Sequence, residues 1–185
     1  MYQEVKETKL MGVLEITPQT FDDARGFFKE VYRQDQWDEL GLPAFVQYNH
    51  SRSTYGVLRG LHFQAQQPQG KLVQVFNGSI FDVALDLRSD SPTFGQWFGL
   101  ELSDKNHKQL YIPPGFAHGF LTLSKTADVH YLCTDYYLAG DDHGLLWNDP
   151  TVNISWPTVA GEYLLSDKDK KWGGLESALE ILKNL

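Results

Sequence analysis

The sequence predicts a mainly β protein, an antiparallel sandwich or barrel with a few short helices. Three observations carry this: short β-rich runs recur along the chain, turn-forming clusters separate them, and helical periodicity is confined to two places. The 185 residues suit one domain with a sizeable core. A hydrophobic content of 42% and an aromatic content of 14% belong to a globular rather than a disordered chain. The single domain is expected to span residues 1–185, with its core at about 10–170 and a helical C-terminal region at about 171–185.

Taken in order, "QDQWDELG" reads as a short helix stopped by Gly41 ahead of Pro43. The stretch "LVQVFNGSIFDVALDL" is two β-rich runs around Asn77-Gly78, the strongest short-range hairpin signal. In its second run Phe81, Val83, Leu85 and Leu87 alternate with Asp82, Ala84, Asp86 and Arg88. Further strands are read in "FGQWFGLEL", "QLYIP", "HGFLTLS" and "DVHYLCTDYY", divided by "SDSPTFG", "SDKNH", "PPGF" and "LAGDDHG". The tail places Leu175, Ala178, Leu179, Leu182 and Leu185 on one helical stripe, which must pack on something.

Composition excludes several function classes. Cys133 is the single cysteine, so no disulfide can form within the chain, which favours a reducing compartment. The N-terminus "MYQEVKETKLMG" is charged, and no stretch is long and apolar enough to span a membrane. The expected setting is cytoplasmic, with no membrane partner. Sixteen basic against twenty-four acidic residues give a net charge of −8, which argues against a nucleic-acid partner. An anionic small ligand would need cations gathered locally.

The chemistry-bearing residues begin with "GVLRGLHFQAQQPQGKLVQ" (56–74). Arg59 and His62 are an odd number of positions apart and would face opposite sides of a regular strand. Gly60 lies between them, and a bulge there would turn both into one cavity. The plainer alternative is a surface arginine and a satisfied core histidine. The spacing Pro-x-Gly-x-x-His in "IPPGFAHGF" (112–120) resembles the second motif of cupins, whose first motif supplies further metal ligands. Here His62 is followed by Gln64, residues 65–70 hold no carboxylate, and Lys71 follows. Two imidazoles and an ammonium make a poor cation cage, so no metal is expected. A histidine base beside a lysine suits proton abstraction next to a carbonyl, the lysine stabilising the enolate oxygen. Returning the proton needs an acid, and the run "HYLCTDYY" would place Tyr131, Cys133, Asp135 and Tyr137 on one strand face. Tyrosines that simply line a barrel core or rim are the alternative there.

The blocks "FDDARGFFKEVY", "QYNHS", "GVLRGLH", "KLVQV", "DVALDLRSDSPTFG", "IPPGFAHGF", "YLCTDYY", "WNDP" and "LSDKD" occur in one order over most of the chain. Through them the chain closely resembles the dTDP-4-dehydrorhamnose 3,5-epimerases, metal-free enzymes with a double-stranded jelly-roll, cupin-like fold. The resemblance implies epimerisation of dTDP-4-dehydro-6-deoxy-D-glucose at both carbons flanking its ketone, without a cofactor. It implies His62 as the base, Asp169 as its carboxylate partner, Lys71 at the enolate oxygen and Tyr131 as proton donor. Tyr137 would stack on thymine, and Arg25 and Arg59 would meet the diphosphate. Gln47, Asn49, Phe28, Glu30, His118 and Lys168 would bind substrate. Asp142, in "DDHG", stands where the family has a glutamate before Arg-Gly, with a shorter arm and with His143 in place of the arginine. A homodimer in which residues 25–30 reach the partner's site is also implied. A relative inverting one carbon, or acting on a neighbouring 4-keto nucleotide sugar, would share the His/Asp pair. A metal cupin or a non-catalytic sugar-nucleotide binder is opposed by the missing ligands and by the intact His62, Lys71, Tyr131 and Asp169.

Overall fold

Thirteen strands and two α-helices follow one another along residues 2–184, which the computed structural model describes. Six strands form one antiparallel sheet. They are β1 (Tyr2–Glu7), β2 (Leu14–Pro18), β5 (Gln47–Thr54), β7 (Lys71–Asn77), β10 (Gln109–Ile112) and β12 (Thr126–Cys133), in the order β1-β2-β10-β7-β12-β5. Five form the opposing sheet: β6 (Leu58–Phe63), β8 (Ser79–Asp86), β9 (Trp97–Ser103), β11 (Phe116–Thr122) and β13 (His143–Gly144), in the order β13-β6-β11-β8-β9. The strands β3 (Thr20–Asp23) and β4 (Gly26–Lys29) pair only with each other, as a separate ribbon. The result is the antiparallel sandwich that the strand spacing called for, in the jelly-roll form that the family resemblance implied.

The two sheets meet over a core of Val73, Val75, Ile80, Ala84, Phe116, Phe120 and Val129. A second apolar layer covers the outer face of the five-stranded sheet. There Leu61, Val83 and Leu85 pack against Leu175 and Ala178 of the C-terminal helix α2 (Leu175–Lys183), with Leu179 and Leu182 alongside. The apolar stripe of the tail is thus used within the chain; Leu185 lies outside the described residues. The short helix α1 (Gln34–Glu39) buries Trp37 beside Tyr111 and ends before Gly41, whose φ of +68° suits a helix terminus.

The expected hairpin at Asn77-Gly78 does not form. β7 pairs with β10 and β12, whereas β8 pairs with β11 and β9, so the dipeptide carries the chain from one sheet to the other. A two-residue type I′ hairpin needs positive φ at both turn residues. Gly78 has φ +81°, but Asn77 is not among the positive-φ residues. The corner is held instead by long-range bonds: Gly78 N–H donates to Asp104 (2.9 Å) and Ser79 N–H to Ser124 Oγ (2.8 Å). A Cβ on Gly78 would sit 2.1 Å from the Thr126 carbonyl oxygen, so the glycine serves close approach as well as φ.

Candidate active site

Residues of both sheets wall a cavity of about 410 Å³. β5 contributes Gln47 and Asn49, two apart on one face as expected, and Gln47 Nε2 donates to Asn49 Oδ1 at 3.1 Å. β7 contributes Lys71 at its first residue, and β12 contributes Tyr131. From the other sheet come Arg59 and His62 of β6 and His118 of β11.

Arg59 and His62 share the cavity because β6 is irregular. His118 pairs with His62 and Phe120 with Arg59, so Gly60 and Leu61 together oppose Gly119. That extra residue cancels the odd offset. Gly60 has φ +110°, and a Cβ there would lie 2.7 Å from both Gly119 Cα and the His118 carbonyl oxygen. Arg59 is oriented by Ser53 Oγ (2.9 Å) and the Arg52 carbonyl oxygen (3.3 Å), with no carboxylate bound to it among the described residues.

His62 Nε2 lies 2.6 Å from Oδ1 of Asp169, which is only 3% exposed. Asp169 sits in the 3-10 turn Asp169–Lys171, where its backbone N–H donates to Ser166 Oγ at 3.0 Å and Trp172 Nε1 stands 3.3 Å from Oδ1. Burial alone would raise the Asp169 carboxyl. The hydrogen bond and charge of His62, with bonds from Ser166 and the Gly60 N–H, outweigh it and hold the group below the usual carboxylate range. His118 Nε2 meets Asp82 Oδ1 at 2.7 Å, the aspartate fully buried and the histidine nearly so. The Lys71 ammonium makes no hydrogen bond among the described residues. Burial pulls its ammonium below the ordinary lysine range, opposed by the charges of Cys133, Asp82 and Asp142. Burial first, then Cys133, pushes the Tyr131 phenol up, so it stays protonated and able to donate at neutral pH.

The rim differs from the single strand face expected for "HYLCTDYY". β12 ends at Cys133, so Asp135 and Tyr137 belong to the following turn. Asp135 Oδ1 accepts from Gln67 Nε2, while Tyr137 still reaches the cavity, its N–H donating to Gln47 Oε1 (2.8 Å) and its hydroxyl to Asp142 Oδ2 (2.7 Å). Asp142 also accepts a bond from Lys168 Nζ. Burial raises the Asp142 carboxyl, but Lys168, Tyr137 and the charge of His62 bring it below its ordinary value. His143 turns away to Asp141 Oδ1 (3.2 Å), and Asp141 accepts the backbone N–H groups of Ala65, Gln66 and Gln67 at 2.9–3.0 Å. Among the described residues no group of three or more His, Cys, Asp or Glu side chains comes together in a way that could hold a metal ion.

The geometry is that of an acid/base site with anion-stabilising groups, and likeness to known proteins points the same way. A family profile described as dTDP-4-dehydrorhamnose 3,5-epimerase matches residues 7–177. The chain belongs to the dTDP-4-dehydrorhamnose 3,5-epimerase family. It is thereby an isomerase of dTDP-rhamnose biosynthesis. A family member from Methanothermobacter thermautotrophicus is 48% identical over 168 residues, 90% of this chain and 91% of the relative. A Legionella pneumophila epimerase, solved with dTDP-4-keto-L-rhamnose, has 47% identity and a TM-score of 0.91, covering 94% of this chain and 93% of that one. The fold extends to a 3′-monoepimerase from Streptomyces bikiniensis, solved with dTDP-quinovose. It has 29% identity and a TM-score of 0.88, covering 94% of this chain and 89% of that one.

Three of the residues that the family resemblance implied stand apart from the cavity within this chain. Arg25 lies on the β3–β4 ribbon, its side chain 90% exposed and forked onto Asp23. Phe28 is 67% exposed beside a separate surface hollow formed with Phe27, Lys29 and Phe76. Glu30 lies just beyond β4, 4.0 Å from Arg33. Among the residues not singled out from sequence is one that holds a cavity side chain from behind. Asp82 holds His118, and its signal was an aspartate sharing a strand face with the core residues Ile80 and Ala84.

Proposed function

We propose that His62, held by Asp169, removes the protons from both carbons flanking the ketone of dTDP-4-dehydro-6-deoxy-D-glucose, giving dTDP-4-dehydro-L-rhamnose. The observation that carries this is the 2.6 Å His62–Asp169 contact on a cavity that also presents Lys71 and Tyr131. With the Nε2 proton donated to Asp169, Nδ1 keeps the lone pair that takes the substrate proton. The C–H electron pair passes to the ketone oxygen, where the Lys71 ammonium stabilises the enolate. Tyr131 then gives its hydroxyl proton to the opposite face of the carbon, inverting it. Its phenolate is refilled as His62 returns to the neutral form through solvent.

Arg59 would grip the diphosphate, and Gln47, Asn49 and His118 the sugar and its linkage. Tyr137 would stack on the base while Asp142 and Lys168 hold it. The exposed ribbon bearing Arg25, Phe28 and Glu30 suits a homodimer in which it closes the partner's cavity. No cofactor enters this scheme, and a reducing, cytoplasmic setting agrees with the buried free thiol of Cys133.

Turnover in deuterated water tests the mechanism. Deuterium is expected at both flanking carbons. Label at one carbon only would make the chain a mono-epimerase, and no label at all would sink the enolate route.

A further inference from the structure

β8 places Asp82 on the face that meets the other sheet, between Ile80 and Ala84, with 0% exposure. One carboxyl oxygen, Oδ1, meets His118 Nε2 at 2.7 Å; the other, Oδ2, is buried with no hydrogen-bond partner among the described residues. A buried carboxylate with an unsatisfied oxygen costs stability and calls for a reason other than packing. Its neighbourhood supplies one. His118 lies directly opposite His62 across β6 and β11, so the cavity wall carries two histidines, each bound through Nε2 to a buried aspartate. The ring nitrogen of His118 not used by Asp82 makes no hydrogen bond among the described residues, and the residue lines the cavity.

We propose that Asp82 is a positioning residue, which fixes the His118 ring with its Nε2 proton inward. The inference rests on Lys71 and His118 facing the substrate. Lys71 shares the cavity with Tyr131 of β12, Arg59 and His62 of β6, His118 of β11, Tyr137 and Asp142, and Cys133 of β12 and Asp82 of β8 lie close enough to act on its charge. Of these, Cys133, Asp82 and Asp142 favour the charged lysine against the effect of burial. Asp82 also holds His118, a second group of the cavity wall. One carboxylate therefore sets two of the polar contacts on which the developing enolate depends: an ammonium kept charged, and an imidazole whose cavity-side nitrogen Nδ1 is left bare to accept from a substrate hydroxyl.

Asp82→Asn keeps the size and removes the charge. Relative to wild type, kcat should fall on the order of tenfold to a hundredfold, less than for loss of a direct oxyanion donor, with KM changed far less. The alkaline limb of its kcat profile should move to lower pH, because the ammonium loses a charge that favours it. The melting temperature should change little, because relief of the unsatisfied Oδ2 offsets the loss of a buried charge. In the wild-type enzyme, 15N-imidazole resonances assigned with His118→Asn should put a proton on Nε2 of His118. Unchanged kcat and an unmoved alkaline limb in Asp82→Asn overturn the proposal while leaving the epimerase mechanism standing. So does a bare Nε2 in wild type, or an activity loss that only tracks a lower melting temperature. Absence of turnover by the wild type on dTDP-4-dehydro-6-deoxy-D-glucose overturns both.

Discussion

Asp82 and Asp86 sit four residues apart on the same face of β8, both with 0% exposure, and their surroundings are opposite in kind. Asp86 is saturated. It accepts from the Arg88 backbone N–H (3.0 Å) and guanidinium (2.7 and 2.9 Å), and from Ser91 and Thr93 hydroxyls (2.6 and 2.7 Å). Asp82 has a single histidine and one orphan oxygen. A carboxylate ringed by donors fastens the loop that follows its strand. One left half-satisfied beside a cavity belongs to the chemistry there. Asp169 combines the two conditions: Ser166, Gly60 and Trp172 hold it, and through His62 it reaches the substrate.

Breaking the contrast at its catalytic end should have the largest effect. Asp169→Asn is expected to lower kcat on the order of 10⁴-fold with the fold intact, because the imidazole loses its fixed tautomer. His62→Asn should abolish deuterium uptake at both carbons, as one base serves both. Survival of exchange at either carbon in His62→Asn would mean a second base. Tyr131→Phe should fall between, leaving exchange measurable while inversion stalls, read by comparing deuterium content with product configuration.

The ribbon provides an intermediate test. If Arg25 and Phe28 complete a partner's cavity, His62→Asn and Arg25→Ala proteins are each impaired alone. Refolded together they should regain activity, since mixed dimers hold one cavity with both intact residues. A mixture no more active than its components would confine the site to one chain.

At the structural end, Asp86→Asn should cost about 3 kcal/mol in chemical denaturation, from the Arg88 charge left without its partner, with kcat per folded molecule unchanged. The smallest effect is the pH dependence of the same group. Burial would raise the Asp86 carboxyl, but Arg88, Ser91 and Thr93 together hold it down at about 2. Its folded value lies below its unfolded one, so its stabilisation is fully present above about pH 4 and drains away as pH falls toward 2. At most about 2.5 kcal/mol is involved. Acid unfolding curves of wild type and Asp86→Asn should therefore converge at low pH and separate near neutrality.

Much of this was legible in the sequence for local reasons. Period-2 runs and turn clusters gave the strands. The α1 stop at Gly41 and the apolar stripe of α2 followed from helical spacing. Gly60 marked the bulge that brings Arg59 and His62 together. Resemblance to the family supplied the pairing of His62 with Asp169, which no spacing could reveal. Where sequence reasoning failed, the deciding contact was distant. Asn77-Gly78 has hairpin chemistry, yet Thr126, Ser124 and Asp104 make it a corner between sheets. The alternation in β8 has the form of a half-solvated strand, but both of its faces are covered, one by the opposite sheet and one by α2 and its neighbours.

By itself the sequence determined which segments are strands, which residues can carry charge or protons, and the class of chemistry they suit. Those properties reside in side chains and in backbone preferences a few residues long. The tertiary structure decided which sheet each strand joins, and so which of the aspartates in "DVALDL" is sealed by donors and which is left beside the cavity. Strand pairing joins residues dozens of positions apart, and burial is a property of the assembled sheets, so neither can be read from a strand on its own.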